Sequence, residues 1–579
     1  MGNTNSIHTV NHPHDPVHKH RVIHRKRSTA FSALTLGCVS AHSDPVSDCS
    51  SQTTAISDGD QGSTLKEKSS FETCLPPLYA NSSIDLQEDE TSVAYKDFLK
   101  EYPQYQLTWI VDSLRRSDFR RLDRNSETYV DYMGGSLYPE SLIQVHTEFL
   151  NRSVLGNTHS VSNSSRLSAF CADEARQAVL SFFNAPPGYT VIFTANASAA
   201  LKLVGEAFPF AEGSSYILGA DSHNSVHGIR QFALQRNAQV HYIETTPCGG
   251  LDPSDAKNIL SNHRPQSHRA SPSLFALTGQ SNISNSKNPL SLIKYASSLG
   301  YCTLLDAAAL APTSVVSLSD TPVDAMAISF YKMFGFPTGV GALVAKESFL
   351  AQLQRPWFAG GTVDVVQAPG TIFTMTETPY EQFEDGTINY LNLPAITEGL
   401  RFLSAYLPFL PLRLSSLTHY LVTSLSRLRH EENGTPVVQV MSRIPSRKLH
   451  SVGEQADTGS TISFVFLSPT GEMLPNSFIE YAASSQNISL RTGCMCNPGG
   501  AAALLGIREN MDLLYPGVRM KDFQRQVGQE LGVVRVSLGL ASNFQDVWKV
   551  LQFASSMARE QSRTAMWNTW ADEKIGRAY

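Results

Sequence analysis

AISFYKMFGFPTGVG, residues 327 to 341, joins two apolar segments that are predicted to be strands, Val323 to Ile328 and Val340 to Val344. The polar corner between them carries one lysine, Lys332, followed by a Gly/Pro turn. A lysine at the end of a buried strand is costly to keep charged, so we expect its pKa to be depressed. An amine with a depressed pKa is a nucleophile that can attack a carbonyl group. A strand-end lysine can also extend its ammonium group to solvent and stay charged. The surrounding residues must therefore show whether Lys332 is a nucleophile or an ordinary solvated lysine.

The composition limits the class of protein. A chain of 579 residues, 41% of them hydrophobic and 17% charged, has room for two or more domains. Its formal charge of -6 argues against general nucleic-acid binding. No apolar run reaches the roughly 18 residues that a membrane helix needs. Eight cysteines without a secretory signal fit a reducing compartment. We therefore expect a cytoplasmic enzyme.

Residues 1 to 91 differ from the rest. They are rich in Ser, Thr, His, Asp and Gln and have no sustained apolar periodicity, so we expect a disordered N-terminal extension. The first six residues match the N-myristoylation pattern, with Gly2 as the acceptor, and a basic stretch follows at residues 18 to 27. One acyl chain binds membranes only marginally, and the basic stretch can act as the second signal. This predicts peripheral membrane contact; a plain tail and a weak mitochondrial presequence are the alternatives.

The central part of the chain alternates short apolar strands with helices. Such alternation predicts an α/β fold with a mostly parallel sheet and helices on both faces. In these sheets ligands bind at the carboxyl ends of the strands. The predicted strands are Tyr189–Thr194, Ser215–Gly219, Gln239–Glu244, Leu274–Thr278 and Cys302–Leu305.

Two domains follow from this pattern. We assign residues 92 to 405 to the large domain and residues 406 to 579 to a smaller α+β domain. The small domain includes a strand at residues 460 to 466 and a closing strand–helix unit from Val533. Residues 92 to 127 are an N-terminal part of the large domain that could instead pack on the small one.

Polar residues stand where the predicted strands end. Small residues with free backbone amides, including Ala197 and Ser198, open a helix after the first strand and form a seat for an anion such as phosphate. Alone, this pattern would indicate only a helix N-cap. His223 follows the second strand and could stack on an aromatic ring. Asn282 follows the fourth, where amides can bond a phenolic oxygen.

The last two strand ends complete the pattern. Asp306 provides a carboxylate that can keep a pyridine nitrogen protonated, which makes the ring an electron sink. Lys332 follows, with Ser329 three residues before it. The order of anion seat, ring-stacking histidine, amide, aspartate and lysine indicates an enzyme that uses pyridoxal 5'-phosphate.

Two motifs resemble the aminotransferase-like domain of molybdenum cofactor sulfurases, which belong with the class V aminotransferases and cysteine desulfurases. They are Ser329–Gly339 (SFYKMFGFPTG) and Arg491–Gly499 (RTGCMCNPG). The resemblance runs from about Thr128 to Ala554. It implies a fold-type I pyridoxal-phosphate enzyme that works as a homodimer.

The resemblance also implies a role for each matching residue. Lys332 holds the cofactor aldehyde, Asp306 pairs with the ring nitrogen, and His223 stacks on the ring. Asn282 lies near the phenolic oxygen. The phosphate is seated by Ala197, Ser198 and Ser329, and Thr387 reaches a phosphate across the dimer interface. Arg535 grips the substrate carboxylate, and Arg491 is a second active-site arginine.

Three features depart from the family pattern. Tyr132 stands where the family usually has a histidine, and Asn196 replaces a customary glycine of the phosphate loop. The chain leaves no room after the small domain for the C-terminal molybdopterin-binding domain of full-length sulfurases. Direct delivery of sulfur to molybdenum cofactor within one chain is therefore not expected.

The resulting hypothesis is a cysteine desulfurase or related sulfurtransferase. It would cleave the C–S bond of L-cysteine to give alanine and a persulfide on Cys496, which lies five residues after Arg491 as in desulfurases. The sulfur acceptor would be molybdenum cofactor or a separate acceptor protein. A redox or metal role for Cys494 and Cys496 is the alternative for this pair, but no other Cys or His lies nearby in sequence, and we expect no metal.

Two other functions remain open from the sequence. One is a different class V activity, such as an aminotransferase, epimerase or C–S lyase of a biosynthetic pathway. The other is a catalytically silent scaffold that kept the fold. The presence of Lys332, Asp306, His223 and Cys496 together argues against the scaffold, which would have no chemical need for all four.

Overall fold

The computed structural model describes residues 90–265 and 271–576. The predicted extension, residues 1 to 91, lies outside the described residues except for Glu90 and Thr91, which begin the first helix. The acyl motif at Gly2 and the basic stretch at residues 18 to 27 are therefore among the residues not described.

Strands form two main sheets and two short pairs. The strands are β1 Thr128–Tyr129, β2 Tyr189–Thr194, β3 Ser215–Gly219, β4 Gln239–Ile243, β5 Leu274–Thr278, β6 Cys302–Asp306, β7 Ala325–Ser329, β8 Gly341–Lys346, β9 Val363–Val366, β10 Phe373–Met375, β11 Val438–Val440, β12 Thr461–Phe466, β13 Ile488–Ser489, β14 Arg491–Gly493 and β15 Val533–Ser537.

Helices connect and cover these strands. They are α1 Glu90–Glu101, α2 Trp109–Asp118, α3 Arg120–Arg124, α4 Glu140–Arg152, α5 Asn163–Phe182, α6 Ala197–Ala207, α7 Asn224–His227, α8 Ile229–Gln235, α9 Pro253–Asn262, α10 Ser291–Ser298, α11 Phe330–Phe334, α12 Glu347–Leu350, α13 Leu393–Tyr406, α14 Leu410–Arg427, α15 Asn476–Ser484, α16 Pro498–Leu505, α17 Met520–Val527, α18 Phe544–Ala558 and α19 Glu560–Gly576.

The larger sheet has seven strands in the order β2-β8-β7-β6-β5-β3-β4. Neighbouring strands pair in parallel except around β8, which runs antiparallel to both β2 and β7. Every residue of β3, β5 and β7 is buried, as expected of strands covered by helices on both faces. The predicted α/β class with a mostly parallel sheet is confirmed.

The C-terminal part forms a second, antiparallel sheet in the order β11-β12-β15-β14. Its strands all lie after residue 437. Two parallel pairings bring residues before the large sheet to this part of the molecule: β1 pairs with β13, and Asp131 bridges to Ser537. The domain boundary predicted between residues 405 and 406 falls at the end of helix α13, which contacts α4 and α5.

Helix α2 packs on the C-terminal segment through ion pairs made by two buried arginines, Arg115 and Arg413. The guanidinium group of Arg115 donates to Asp546 of α18 over 2.6 Å and to Asp123 over 2.8 Å. Arg413 of α14 is fully buried and pairs with Asp112 of α2. Because removing one partner of a buried pair leaves an uncompensated charge, each pair fixes these helices in place.

Two local features concern the site. The segment after β3 forms two short helices, α7 and α8, on either side of Gly228. Lys332 lies in the one-turn helix α11 and not directly at the end of a strand. Among the described residues no helix is long and apolar enough to cross a membrane.

Candidate active site

A cavity of about 210 Å³ opens at the carboxyl ends of the parallel strands of the large sheet. It receives side chains from the residues that follow β2, β3, β5, β6 and β7. The residues lining it are Asn196, Ala197, Ser198, Leu201, His223, Thr278, Gln280, Asn282, Asp306, Ala308, Ala309, Ser329, Tyr331 and Lys332. The structure thus brings together the residues that the sequence assigned to the cofactor aldehyde, ring and phosphate, except Thr387.

One wall of the cavity is an anion seat at the N-terminus of α6. The backbone amide of Ala197 donates to the Ser329 hydroxyl over 2.8 Å, and the Ser198 hydroxyl lies 2.5 Å from that of Ser225. Asn196 caps the helix by accepting from the Ala199 amide. A Cβ at Gly341 would lie 2.6 Å from the Asn196 Cα, so a glycine is needed where β8 passes this turn. Amides and hydroxyls at a helix N-terminus suit a phosphate.

Lys332 is held on α11, whose turn follows β7. Burial lowers the pKa of the Lys332 amine; the Asp306 carboxylate opposes this shift, while the charges of Arg535 and Arg491 add to it. The helix ends at Gly335, which has φ +81°. The amine is therefore more readily deprotonated than an exposed lysine.

Asp306 and His223 enter the cavity from two other strand ends. Asp306 is buried at the end of β6, and its Oδ1 accepts from the Ala308 amide over 3.1 Å. His223 caps α7 by accepting at Nδ1 from the Ser225 amide over 3.1 Å. Burial lowers the pKa of His223, and the nearby positive charges of Lys332 and Arg491 lower it further against the effect of Asp306. A neutral imidazole is suited to stacking on a ring.

Asn282 lines the cavity, but its side-chain amide has partners outside it. Its Nδ2 donates to the Met495 carbonyl over 2.7 Å, and its Oδ1 accepts from Asn497 over 2.9 Å. Gln280, in the same wall, is buried and its Oε1 has no partner among the described residues. Of the two side-chain amides in this wall, only that of Gln280 has an oxygen without a hydrogen-bond partner among the described residues.

The thiol loop, residues 494 to 500, reaches this wall from the small sheet. Met495 and Cys496 both have φ +55°, a conformation that costs a non-glycine residue about 1–2 kcal/mol. Cys496 is exposed and Cys494 is partly buried. Burial raises the pKa of the Cys494 thiol, and the neighbouring Cys496 adds to the rise. Cys494 is thereby kept protonated, and a protonated thiol is a poor nucleophile.

The two arginines lie side by side on the small sheet. Arg491 of β14 and Arg535 of β15 are directly paired residues of antiparallel strands. Arg535 is buried, pairs with Asp131 through one nitrogen over 2.5 Å and donates to the Asn282 carbonyl through another over 2.9 Å. Arg491 is exposed, and its side chain has no ion-pair or hydrogen-bond partner among the described residues. Neither lines the cavity wall itself, yet the charges of both act on Lys332.

Thr387 lies outside the cavity of its own chain. It is exposed, its hydroxyl accepts from Asn157 over 3.2 Å, and it lines a separate open cleft with Thr194 and Lys202. Its expected role in binding phosphate across a dimer interface stays a prediction.

The cavity fits pyridoxal 5'-phosphate. An anion seat, a lysine amine, a buried carboxylate and a histidine with a lowered pKa line a single space, together with Gln280, whose side-chain oxygen has no partner among the described residues. Among residues 90–265 and 271–576 no cluster of three or more His, Cys, Asp or Glu side chains could hold a metal ion.

A model of the aminotransferase class-V family matches residues 128–550. The chain belongs to the class V aminotransferase family. This family uses pyridoxal 5'-phosphate, so the cofactor predicted from the sequence is confirmed, and the chain is a class V enzyme of the fold-type I architecture.

The chain is similar to molybdenum cofactor sulfurases of tomato (Solanum lycopersicum), cattle (Bos taurus) and Arabidopsis thaliana. The identities are 35% over 497 residues, 35% over 462 residues and 31% over 491 residues. These alignments cover 80%, 76% and 78% of the chain, but only 59%, 51% and 59% of the respective relatives. The chain therefore spans between half and three fifths of the length of these relatives. The resemblance to sulfurases predicted from the sequence is confirmed.

Two solved structures share the class V fold. A cysteine desulfurase from Thermococcus onnurineus superposes with a TM-score of 0.60 at 21% identity, and one from Escherichia coli with 0.57 at 19%. Each comparison covers 77% of the chain and 98% of the other protein.

Sequence reasoning did not single out three residues around the site: Asp131, Asp221 and Asn497. Asp221 stands two residues before His223 in the same loop, and Asn497 precedes a proline as helix N-cap residues often do. Asp131 comes two residues after the short strand β1. These local signals mark caps and strand ends but do not identify the partners that the residues contact.

If Lys332 carries the cofactor, borohydride reduction of the purified, yellow protein should attach the cofactor covalently to Lys332, and Lys332→Ala should abolish this attachment. Mass spectrometry of the labelled peptides measures it. Lys287→Ala is the matched control, because Lys287 is a partly buried lysine whose pKa is lowered to about 8 by burial, but its amine donates to the Ala456 carbonyl. Label on Lys287 or Lys346 would contradict the assignment.

Proposed function

We propose that the chain is a cysteine desulfurase of the molybdenum cofactor sulfurase type. It cleaves the C–S bond of L-cysteine and leaves alanine and a persulfide on Cys496. The observation that carries the proposal is the docking of the thiol loop against the wall of the lysine-bearing cavity, where Asn282 binds the Met495 carbonyl. The reaction balances without an oxidant: the substrate C–S bond breaks, an S–S bond to Cys496 forms, and a proton replaces sulfur on the carbon.

Bound pyridoxal 5'-phosphate supplies an electron sink for charge that develops at the substrate α-carbon. The Asp306 carboxylate would keep a proton on the ring nitrogen, and the hydroxyls of Ser198 and Ser329 would hold the phosphate. Lys332, whose pKa is lowered by burial, is the base that moves the α-proton. The partners of Asp306 and Ser329 within the chain fix these groups before substrate arrives.

The substrate carboxylate is proposed to bind at the paired arginines. A guanidinium group binds a carboxylate in a planar, bidentate manner. Arg535 is oriented by Asp131 and by the Asn282 carbonyl, and Arg491 beside it has an unpaired guanidinium group. The charge of Arg535 is balanced by Asp131, whereas that of Arg491 is not. The pair therefore keeps a net positive charge that can attract the substrate carboxylate.

Cys496 is the proposed sulfur acceptor within the chain. Its exposed side chain can receive sulfur and present it to a second acceptor, whereas Cys494 is partly buried with a raised pKa. The second acceptor is molybdenum cofactor, as the names of the similar proteins suggest, or a thiol of a separate protein. Both would approach from the exposed side of the loop.

We propose that the chain forms a homodimer. The hairpin of β9 and β10 carries exposed apolar side chains, with Val365 57% and Ile372 65% accessible, and Trp357 beside it is 62% accessible. Large apolar side chains exposed together on one hairpin support an interface between copies of the chain. Thr387 is exposed and could complete the phosphate site of a second copy.

We also propose a cytoplasmic location with membrane contact through an acylated Gly2. The support is the sequence pattern at residues 1 to 6 together with the basic residues between 18 and 27.

Cys496→Ser should still bind cofactor and L-cysteine but lose persulfide formation and at least about 10²-fold of turnover, because the nucleophile is gone. Cys494→Ser is the matched control and should keep most of both. Sulfide release and mass spectrometry after incubation with L-cysteine measure the difference. Finding the added sulfur on Cys494, or on neither cysteine, would show that the assignment is wrong.

The dimer proposal predicts a solution mass of about twice that of one chain. Ile372→Asp places a charge in the apolar hairpin surface and should shift the protein toward the monomer. Leu234→Asp, at an exposed apolar residue of α8, should leave the mass unchanged. Analytical ultracentrifugation measures both, and a monomeric parent protein would refute the proposal.

Gly2→Ala should move the protein from the membrane fraction to the soluble fraction of a eukaryotic host, since it removes the acyl acceptor. Asn3→Ala keeps the pattern and serves as the control. The intact mass of the parent protein shows independently whether Gly2 is acylated. A mass without an added acyl group would refute the proposed membrane contact.

A further inference from the structure

Asn497 is a fully buried residue of the thiol loop whose side chain points into the large domain. Its Nδ2 donates to Asp221 Oδ1 over 2.6 Å and to Asn282 Oδ1 over 2.9 Å. Its Oδ1 accepts from the Gly500 amide over 2.9 Å and caps α16. The residue next to the proposed nucleophile therefore has its amide nitrogen and its amide oxygen both engaged.

The Asp221 carboxylate that accepts from Asn497 is held in place by other hydrogen bonds of the large domain. The carboxylate is buried and accepts from the Gly250 amide over 2.6 Å, from the Ser281 hydroxyl over 2.7 Å and from Asn497. No arginine, lysine or histidine forms an ion pair with it among the described residues. A buried carboxylate without a cation depends on all of its hydrogen-bond donors, so the contact with Asn497 is costly to break.

Two backbone contacts hold the loop at the same place. The Asn224 amide, beside His223, donates to the Cys496 carbonyl over 2.7 Å, and the Asn282 side chain donates to the Met495 carbonyl. A Cβ at Gly499 would collide with the Ala220 carbonyl, so the loop lies in close contact with the large domain. The left-handed backbone at Met495 and Cys496 is strained and persists only where such contacts determine it.

We propose that Asn497 is a positioning residue which, through Asp221 and Asn282, anchors the thiol loop and places the Cys496 thiol for attack on the substrate sulfur. The inference rests on the proposed desulfurase function. The docked loop is the reactive arrangement: loss of the anchor lets the loop leave the cavity wall while the cofactor, held by the large domain, stays bound.

The competing explanation is that Asn497 serves only as the N-cap of α16. Asn497→Asp separates the two, because aspartate is an equally good N-cap but lacks the amide donor and places a second carboxylate against Asp221. Asn497→Ser, another good N-cap, is a second variant that keeps the test valid if Asn497→Asp does not fold. The matched control is Asn285→Ala: Asn285 is also fully buried and also joins the large-domain loop to the small domain, but it contacts Arg443.

The first measurement is hydrogen–deuterium exchange of the holoenzyme, which does not depend on activity. The Asn224 amide is bonded to the thiol loop, so the peptide that contains it should exchange faster in Asn497→Asp and Asn497→Ser and at the parent rate in Asn285→Ala. Unchanged exchange in both Asn497 variants would overturn the anchor, as would an equal increase in Asn285→Ala.

The second measurement is turnover of L-cysteine. The Asn497 variants should lose about 10²-fold in kcat, the scale of an error of about 1 Å in placing a reacting group, with cofactor absorbance and KM near those of the parent. A parallel loss of cofactor or a rise in KM alone would refute the positioning role. If the parent protein itself releases no alanine or sulfide, the desulfurase proposal fails, and the exchange result still decides whether the anchor exists.

Discussion

The site depends on one constraint: parallel strands that are buried on both faces can expose polar side chains only where they end. β3, β5 and β7 are buried along their whole length, so His223, Asp306 and Lys332 all lie in the turns or last residues at one edge of the sheet. The antiparallel strand β8 closes the same edge. Its first residue, Gly341, has no Cβ, so the turn at Asn196 can lie directly against the β8 backbone. The sheet therefore determines the positions of the anion seat, the carboxylate and the lysine.

This constraint explains why the large domain could be predicted from the sequence. The predicted bounds of β2, β3 and β5 agree with the structure because continuous apolar runs end there in polar or small residues. Ala197, Ser198, Asp306 and Ser329 could be placed by the same argument, since each follows or ends its own strand. The direction in which the pKa of Lys332 shifts also follows, because burial is implied by the strands around it.

The small domain could not be predicted to the same depth, because its contacts join residues far apart in the chain. Asn282 contacts Met495 across 213 positions, Asn497 contacts Asp221 across 276, and Arg535 contacts Asp131 across 404. A strand pattern gives the face of a side chain but not the loop that it meets. That Asn282 lies near a cofactor oxygen stays a prediction; in the structure it lines the cavity and its amide nitrogen binds the thiol loop.

The two main sheets divide the chemistry, and this division gives the thiol loop its importance. Groups for cofactor and proton transfer are fixed by the large sheet, while the arginines and Cys496 belong to the small sheet and its loop. Attack on sulfur requires both sets within bonding distance, so the thiol loop must be held in a fixed position near the cavity. Hydrogen bonds to a buried carboxylate suit this task better than apolar contact, because they are directional and costly to leave unmade. The strained backbone at Met495 and Cys496 is the local cost of bringing an exposed thiol to this wall.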